Sequence, residues 1–384
     1  MGMDLMSSSK AARSVWTRAD KYLLENYGFE ITTIVKQNPK QLEIHFGGAR
    51  GARLRENYLS LTADGTADGP KLFPRLGPDS ESVLFQSEDG LLSVTGFAQI
   101  GLTLNACASV EDMRARHLLS GSSVFAGHSL GEFAAIAAMT GFVSVEELVK
   151  FVLIRGFSAD MAVERDQHGQ SVYRMCAVNP SAIHPEVSDE ALGVLVRAIS
   201  ERTASLLEVV NLNERTRQHV CAGEVRDLTD APQLRTNLAC EMLRARSQEH
   251  GFFCKAEPLA TPELTMKTTE LVREADEKSL KRPWTAFRTP SVTLLRGIDV
   301  PFHSSALMPA VGYYRQVCRM MLEQSRLNPD QLLSKYVPNL VAEPFSLHKD
   351  YFQLVYDATE SPVLADILDK YTMNAVLDES RGEV

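Results

Sequence analysis

The sequence predicts an α/β protein: a parallel-sheet core that carries a sharp serine turn, with an α+β subdomain inserted into it. Three observations lead there. Residues 122–139, SSVFAGHSLGEFAAIAAM, read as a short apolar strand, a five-residue turn and an Ala-rich helix that Thr140-Gly141 would end. From Tyr173 the pattern changes to strand, helix, strand, turn, strand, helix, strand, which is a split β-α-β arrangement. The 384 residues suffice for one large α/β domain with an insertion, or for two domains.

Composition narrows the function classes. Hydrophobic residues are 44% and charged residues 23%, as in a soluble globular protein and unlike a disordered or fibrous one. No apolar run is long enough to span a bilayer. The start MGMDLMSSSK lacks the apolar centre of a signal peptide, and Met6 stands where myristoylation needs Ser or Thr. A net charge of −9 argues against a nucleic-acid coat but not against an anionic substrate, which needs only local positive charge. The six cysteines (107, 176, 221, 240, 254, 318) show no C-x-x-C pair and no Cys/His ligand spacing. Reduced core thiols in a cytoplasmic protein are expected, with no metal, nucleic-acid or membrane partner.

Taken in order, Ser8 to about Ile34 has apolar residues at helical spacing (Val15, Tyr22, Leu23, Tyr27), giving one or two amphipathic helices. In residues 41–61 the Gly-Gly-Ala-Arg-Gly stretch lacks the strand and GK[ST] of a phosphate loop and reads as a turn before a short helix. Residues 62–90, rich in Gly, Pro, Asp and Ser, read as an exposed excursion. Gly90 to Ala108 is apolar enough for a buried helix packed near the serine turn. Gln99 is its one conspicuous polar side chain, bonded either to nearby backbone or to substrate.

In the serine turn, Gly127 and Gly131 lack Cβ atoms, so the chain can turn sharply and the helix can pack closely on the strand. Ser129 at the apex is then pushed outward as a nucleophile, with His128 locked beside it. The Leu130 N–H, at the first turn of the helix, points where an oxyanion would form, and the helix dipole favours negative charge there. The plainer alternative is a Gly-rich turn whose serine caps a helix. G-x-S-x-G alone is a weak pattern; the flanking strand and helix favour catalysis.

Ser144-Val145-Glu146-Glu147 is a capping box that opens a helix through Val163. Its apolar face, Leu148, Phe151 and Val152, continues at Arg155, which either snorkels to water or forks onto a carboxylate in the cleft. The inserted subdomain follows: strands in YRMCAVN, LLEVVNLN, QHVCAGE and SVTLLRG, helices at Ser188–Thr203 and about Ala231–Arg246. This pattern is ferredoxin-like. Asn211 and Asn213 end its second strand, a place for turn residues more often than ligands. In Gly297 to Ser305, His303 stands at the mouth of a helix, where it could serve a serine as base. A helix to about Gln324, a strand-like stretch at 335–342, a helix near Tyr351–Ala358 and a polar tail complete the chain. The expected division is residues 1–172 and 297–384 as a hydrolase-like core and 173–296 as the ferredoxin-like subdomain.

With FAGHSLGEFAAIA, the Arg-Gly of LIRGFSADMAV, GIDVPFHSSALM, EVVNLN, VCAG and YVPNLVAEPF in place, the chain resembles the acyl-CoA:acyl-carrier-protein transacylases. More closely, it resembles the malonyl/palmitoyl transferase domain of the fungal type I fatty acid synthase β subunit, over almost its whole length. The resemblance implies an S-malonyltransferase with no resident cofactor, whose substrates are malonyl-CoA, long-chain acyl-CoA and the phosphopantetheine thiol of acyl carrier protein. Its partners would be the other synthase domains and the α subunit. By the same resemblance Ser129 is the nucleophile, His303 its general base and acid, and the Asn339 backbone carbonyl orients the imidazole. Arg155 grips the malonyl carboxylate, and Phe302 is the bulky neighbour found in malonyl-selective members. The expected site is thus Ser129, His303, Leu130 and Asn339 for catalysis, with Arg155, His128, Phe302, Gln99 and Asn213 against the substrate.

The family also has a Gly-Gln-Gly-Ser-Gln loop just before the point that matches Met1, whose glutamine supplies an oxyanion contact. A segment of a longer polypeptide, or the product of a truncated gene, is therefore expected, and lack of one such donor costs about 10²- to 10³-fold in rate. Two other functions compete. An esterase or thioesterase would need an acidic triad residue, for which Asp299 is available. A non-catalytic assembly module of the synthase would keep the fold without the chemistry.

Overall fold

A computed structural model describes residues 1–166, 169–183, 188–224, 291–324 and 328–381. Their strands are β1 (Gln41–His45), β2 (Ser82–Gln86), β3 (Phe125–Ala126), β4 (Tyr173–Val178), β5 (Leu207–Glu214), β6 (Gln218–Glu224), β7 (Val292–Leu294) and β8 (Tyr336–Val337). The chain divides into two compact units, one comprising Met1–Leu92, Gly96–Phe157 and Arg315–Val384, the other Ser93–Thr95 and Ser158–Tyr314. Among the described residues no helix is long and apolar enough to cross a membrane, and no group of three or more His, Cys, Asp or Glu could hold a metal ion.

The first unit opens with helices Met3–Ser8, Lys10–Asn26 and Ile31–Gln37. Ala12, Val15, Trp16, Ala19 and Leu23 are buried at the spacing of one helical stripe. Asp20 lies on that stripe and accepts from Thr32 N at 3.1 Å and Thr32 Oγ1 at 2.5 Å, tying two of the helices together. Burial pushes its carboxyl above the usual carboxylate range, although the Thr32 bonds oppose the shift.

Two strands here were not foreseen. β1 and β2 pair antiparallel from Gln41↔Gln86 to His45↔Ser82. The stretch 62–90 is therefore more than an exposed excursion: Leu72, Val83 and Phe85 are buried. Only Val83 and Phe85 of β2 face inward while Leu84 between them stays 51% exposed, so the strand's apolar signal is a run of just three residues. The following helix, Gly48–Ser60, starts inside the Gly-Gly-Ala-Arg-Gly stretch. A Cβ on Gly51 would lie 2.1 Å from the Phe46 carbonyl carbon, so this glycine serves packing.

Phe73, Phe85, Phe97 and Phe157 form the centre of this unit, with Phe97 meeting Phe85 at 5.1 Å and Phe157 at 5.7 Å, both edge-on. Gly96 admits the Phe157 ring: a Cβ there would lie 2.4 Å from it. Phe97 belongs to helix Thr95–Ala115, whose buried residues include Ile100, Leu104, Cys107 and Ala108. Burial pushes the Cys107 thiol up to about 12, which makes it an inert core group.

The parallel sheet is far smaller than expected. Among the described residues the parallel pairing is β3 with β8, two residues each, Phe125↔Tyr336 and Ala126↔Val337. Pro338, with no N–H, follows directly after β8 and cannot extend the ladder. The polar tail is also helical, over Pro362–Arg381, and Phe352 of helix Lys349–Thr359 stacks 5.7 Å from Tyr371.

The second unit is built on a four-stranded sheet in the order β5-β6-β4-β7, antiparallel throughout. Helix Asp189–Thr203, capped by Ser188, covers one face through Leu192, Leu195, Val196 and Ile199. The stretch expected at 173–296 lies inside this unit, which also takes in 158–172 and 297–314. The cause is local bonding: Arg165 grips Asp299, and Ser305 is held by Glu208. The expected helix at Ala231–Arg246, Cys240 and Cys254 lie outside the described residues.

Candidate active site

Ser129 joins β3 to helix Leu130–Thr140 and adopts φ 53°, ψ −113°, a sparsely populated conformation for a residue with a side chain. The turn is closed by Gly131 N donating to the His128 carbonyl at 2.9 Å and Glu132 N to the Ser129 carbonyl at 3.1 Å. Gly127 makes it possible, since a Cβ there would lie 2.1 Å from the Gly131 carbonyl oxygen. Gly131 itself faces open space, so only the first glycine of the motif answers a steric demand. His128 is exposed, and Leu130 opens the helix, so its N–H has no acceptor within it. Gly141, at φ 60°, ends the helix by donating to the Ala137 carbonyl.

The segment after β8 closes on this turn. Asn339 Oδ1 accepts the Ser129 N–H at 3.0 Å. Glu132, in the first turn of the serine helix, accepts from Asn339 N at 2.8 Å and from the Tyr336 hydroxyl at 2.5 Å. Burial and the Glu132 carboxylate both push the Tyr336 phenol well above its ordinary range, so it stays a donor.

Arg155 lies on helix Val145–Met161, which opens with the expected capping box: Ser144 N donates to Glu147 Oε2 at 2.7 Å and Glu147 N to Ser144 Oγ at 3.2 Å. The guanidinium does not snorkel. Its Nη1 donates to Gln99 Oε1 at 2.5 Å, and its Cζ lies 5.6 Å above the centre of the Phe133 ring. Gln99, only 5% exposed, thus bonds to the arginine.

His303 belongs to the second unit. It is exposed at φ 64° in a tight turn where Phe302 N donates to the Val300 carbonyl and Ser304 Oγ to the Pro301 carbonyl. Both shoulders of this turn are fastened. Asp299 takes Arg165 Nη1 at 2.5 Å and Nη2 at 3.2 Å, while Ser305 N donates to Glu208 Oε2 at 2.8 Å and its hydroxyl to Glu208 Oε1. Phe302 packs against Met175, Val220 and Ala222 beneath the sheet. Asn213 is exposed at an irregularity of β5, where the register shifts between Leu212 and Glu214. Thus Ser129, Leu130, His128 and Asn339 come together in one unit, as do Arg155 and Gln99, while His303, Phe302 and Asn213 belong to the other.

A family model described as the acyl transferase domain matches residues 1–363. The chain belongs to the acyl transferase domain family. This acyl transferase domain is similar to the fatty acid synthase beta subunit TOXC of Cochliobolus carbonum, at 39% identity over 390 residues, covering 100% of this chain and 18% of that protein. It is similar also to the fatty acid synthase subunit beta of Saccharomyces cerevisiae, at 38% identity over 377 residues, covering 97% of this chain and 18% of that protein. Among solved structures it resembles FabD from Acinetobacter baumannii, with a TM-score of 0.48, 18% identity, and coverage of 93% of this chain and 74% of that one. The chain spans 18% of the length of these two curated relatives.

Three residues of the acyl transferase domain escaped the sequence reading. Glu132 carried a signal, an acidic residue in the first turn of the serine helix, but that alone suggests only a favourable dipole interaction. Phe133 and Tyr336 carried none, because an aromatic residue in an apolar stretch reads as core.

Proposed function

We propose that this acyl transferase domain moves malonyl groups, and long-chain acyl groups, between coenzyme A and the phosphopantetheine of an acyl carrier protein through an acyl-Ser129 intermediate. The observation that carries the reading is Ser129 itself, a non-glycine residue held at φ 53° between strand and helix, as a nucleophile elbow requires. The names of the relatives, fungal fatty acid synthase beta subunits, support a place in a fatty acid synthase. The substrates, the neighbouring synthase domains, the α subunit and a cytoplasmic setting belong to the same proposal. No resident cofactor is needed for this chemistry.

In the proposed cycle His303 takes the Ser129 hydroxyl proton as Oγ attacks the thioester carbonyl. The oxyanion forms against the Leu130 N–H, and the C–S bond breaks as the leaving thiolate takes the proton from His303. A phosphopantetheine thiol, deprotonated by His303, then attacks the acyl-serine and the sequence runs in reverse. The Asn339 carbonyl orients the imidazole, and Arg155 forks onto the free malonyl carboxylate. Gln99 shares that guanidinium, while His128, Phe302 and Asn213 shape the substrate's surroundings. The inserted unit is read as ferredoxin-like because its second strand lies outermost and its first lies between the third and fourth, a split β-α-β order.

Transfer is favoured over hydrolysis by one observation: Asp299, the acid a hydrolase triad would use, is committed to Arg165. The test is mass spectrometry of the chain after malonyl-CoA. A malonyl adduct on Ser129 that is discharged by a thiol acceptor supports the reading. Free malonate released without an acceptor would instead mark a hydrolase, and no adduct would mark an assembly module.

A further inference from the structure

We propose that Glu132 is a positioning residue for the serine, acting through Asn339 on the Ser129 backbone. The inference rests on the reading of Ser129 as the nucleophile and extends it to residues whose chemistry is never used up in the reaction. Ser129 sits where a side-chain-bearing residue is strained, and such a conformation persists only where its surroundings over-determine it. Two constraints are visible. Gly127 removes the clash that would push the turn open, and Asn339 Oδ1 holds the Ser129 N–H at 3.0 Å.

Asn339 cannot fix its own place. It is exposed, and the regular pairing of its segment ends two residues earlier at Val337, with Pro338 between. What holds it is Glu132 Oε1, which accepts the Asn339 N–H at 2.8 Å and the Tyr336 hydroxyl at 2.5 Å. Tyr336 is 7% exposed and paired with Phe125, so its hydroxyl is a rigid anchor for the carboxylate. The circuit therefore starts and ends on the serine helix: from Glu132 to the Asn339 backbone, along the Asn339 side chain, and back to Ser129. A carboxylate acceptor strengthens both bonds it receives. Loosening this circuit lets the elbow relax and moves Oγ away from the line of attack, and misplacement of about 1 Å costs about 10²-fold in rate.

The experiment measures the rate of Ser129 labelling by a fluorophosphonate probe and by malonyl-CoA in the purified chain, with Ser129→Ala as the blank. Glu132→Ala and Asn339→Ala are each expected to slow labelling about 10- to 100-fold, and the double variant to be no slower than the slower single one, because the two act as one device. Glu132→Gln, which keeps an acceptor oxygen at Oε1, is expected to recover most of the rate. Half-saturation by malonyl-CoA stays unchanged in all of them, since Arg155 is untouched. A merely structural role would instead lower the amount of folded chain without this recovery and without this split between rate and saturation. Should Glu132→Ala fail to fold, Tyr336→Phe loosens the same carboxylate and is expected to slow labelling severalfold. Wild-type rates in Glu132→Ala or in Tyr336→Phe, or losses that multiply in the double variant, overturn the inference. Labelling that persists in Ser129→Ala, or is absent from the native chain, overturns the nucleophile reading and this inference with it.

Discussion

At the scale of the residue, two glycines four positions apart behave oppositely. A methyl group at Gly127 would run into the backbone of Gly131, which no side-chain rotation can relieve, whereas one at Gly131 meets nothing within 4 Å. Gly127→Ala is expected to destabilise the chain by about 2 to 3 kcal/mol and to slow acylation of Ser129. Gly131→Ala is expected to stabilise by about 0.5 to 1 kcal/mol, through helix propensity and a less flexible unfolded chain. Urea midpoints compare the two directly, and equal destabilisation would contradict the steric account. Arg155 gives the second prediction at this scale. Its Nη1 is already poised on Gln99 within the Phe133 site, so Arg155→Ala should lower malonyl transfer about 10- to 100-fold while sparing uncharged acyl groups. Parallel acylation assays with malonyl-CoA and palmitoyl-CoA decide it; equal loss of both would remove the carboxylate grip.

At the scale of the element, the helix carrying Arg155 depends on its start. Ser144→Ala removes one half of the reciprocal cap and should cost about 1 kcal/mol in a urea titration. The N-terminal helices have a pH dependence of definite sign. Burial raises the Asp20 carboxyl, so the folded state binds its proton more tightly than the unfolded chain does. The resulting contribution is complete below the ordinary value of 3.8 and is lost as pH rises through the raised one. The stability of the native chain relative to Asp20→Asn should therefore fall with rising pH across this range and then level off. A relative stability that rises would show the Thr32 bonds outweighing burial. The elements themselves were unevenly legible. The capping box, the serine helix with its Gly141 end, and the strands of the second unit follow from patterns written in consecutive residues. β1 and β2 did not, because each is only five residues long and lies beside stretches rich in Gly, Pro, Asp and Ser. The parallel ladder was overestimated, since the apolar run at 335–342 hides the effect of Pro338.

At the scale of the whole molecule, site legibility followed the same division. Ser129, Arg155 and His303 are marked by chemistry that is rare in its context: a serine between glycines, a cation on an apolar helix face, a histidine at a helix mouth. Of the residues that hold them, Gln99 stood out as a polar side chain on an apolar helix, though its arginine partner was not foreseen. Glu132 and Tyr336 for the serine, and Glu208 and Arg165 for the histidine turn, are ordinary in sequence and acquire meaning only through contacts across long separations. The four-stranded sheet carries one more consequence. Among the described residues β5 and β7 are its two margins, and neither offers a clean row of backbone groups: β5 slips register twice, after Val209 and after Leu212, and β7 is three residues long. Leu212, 71% exposed, stands on the irregular margin. Such uneven borders resist adding a stray strand, so a sheet with a bare leucine on its rim is protected from sticking to its neighbours during synthesis and assembly.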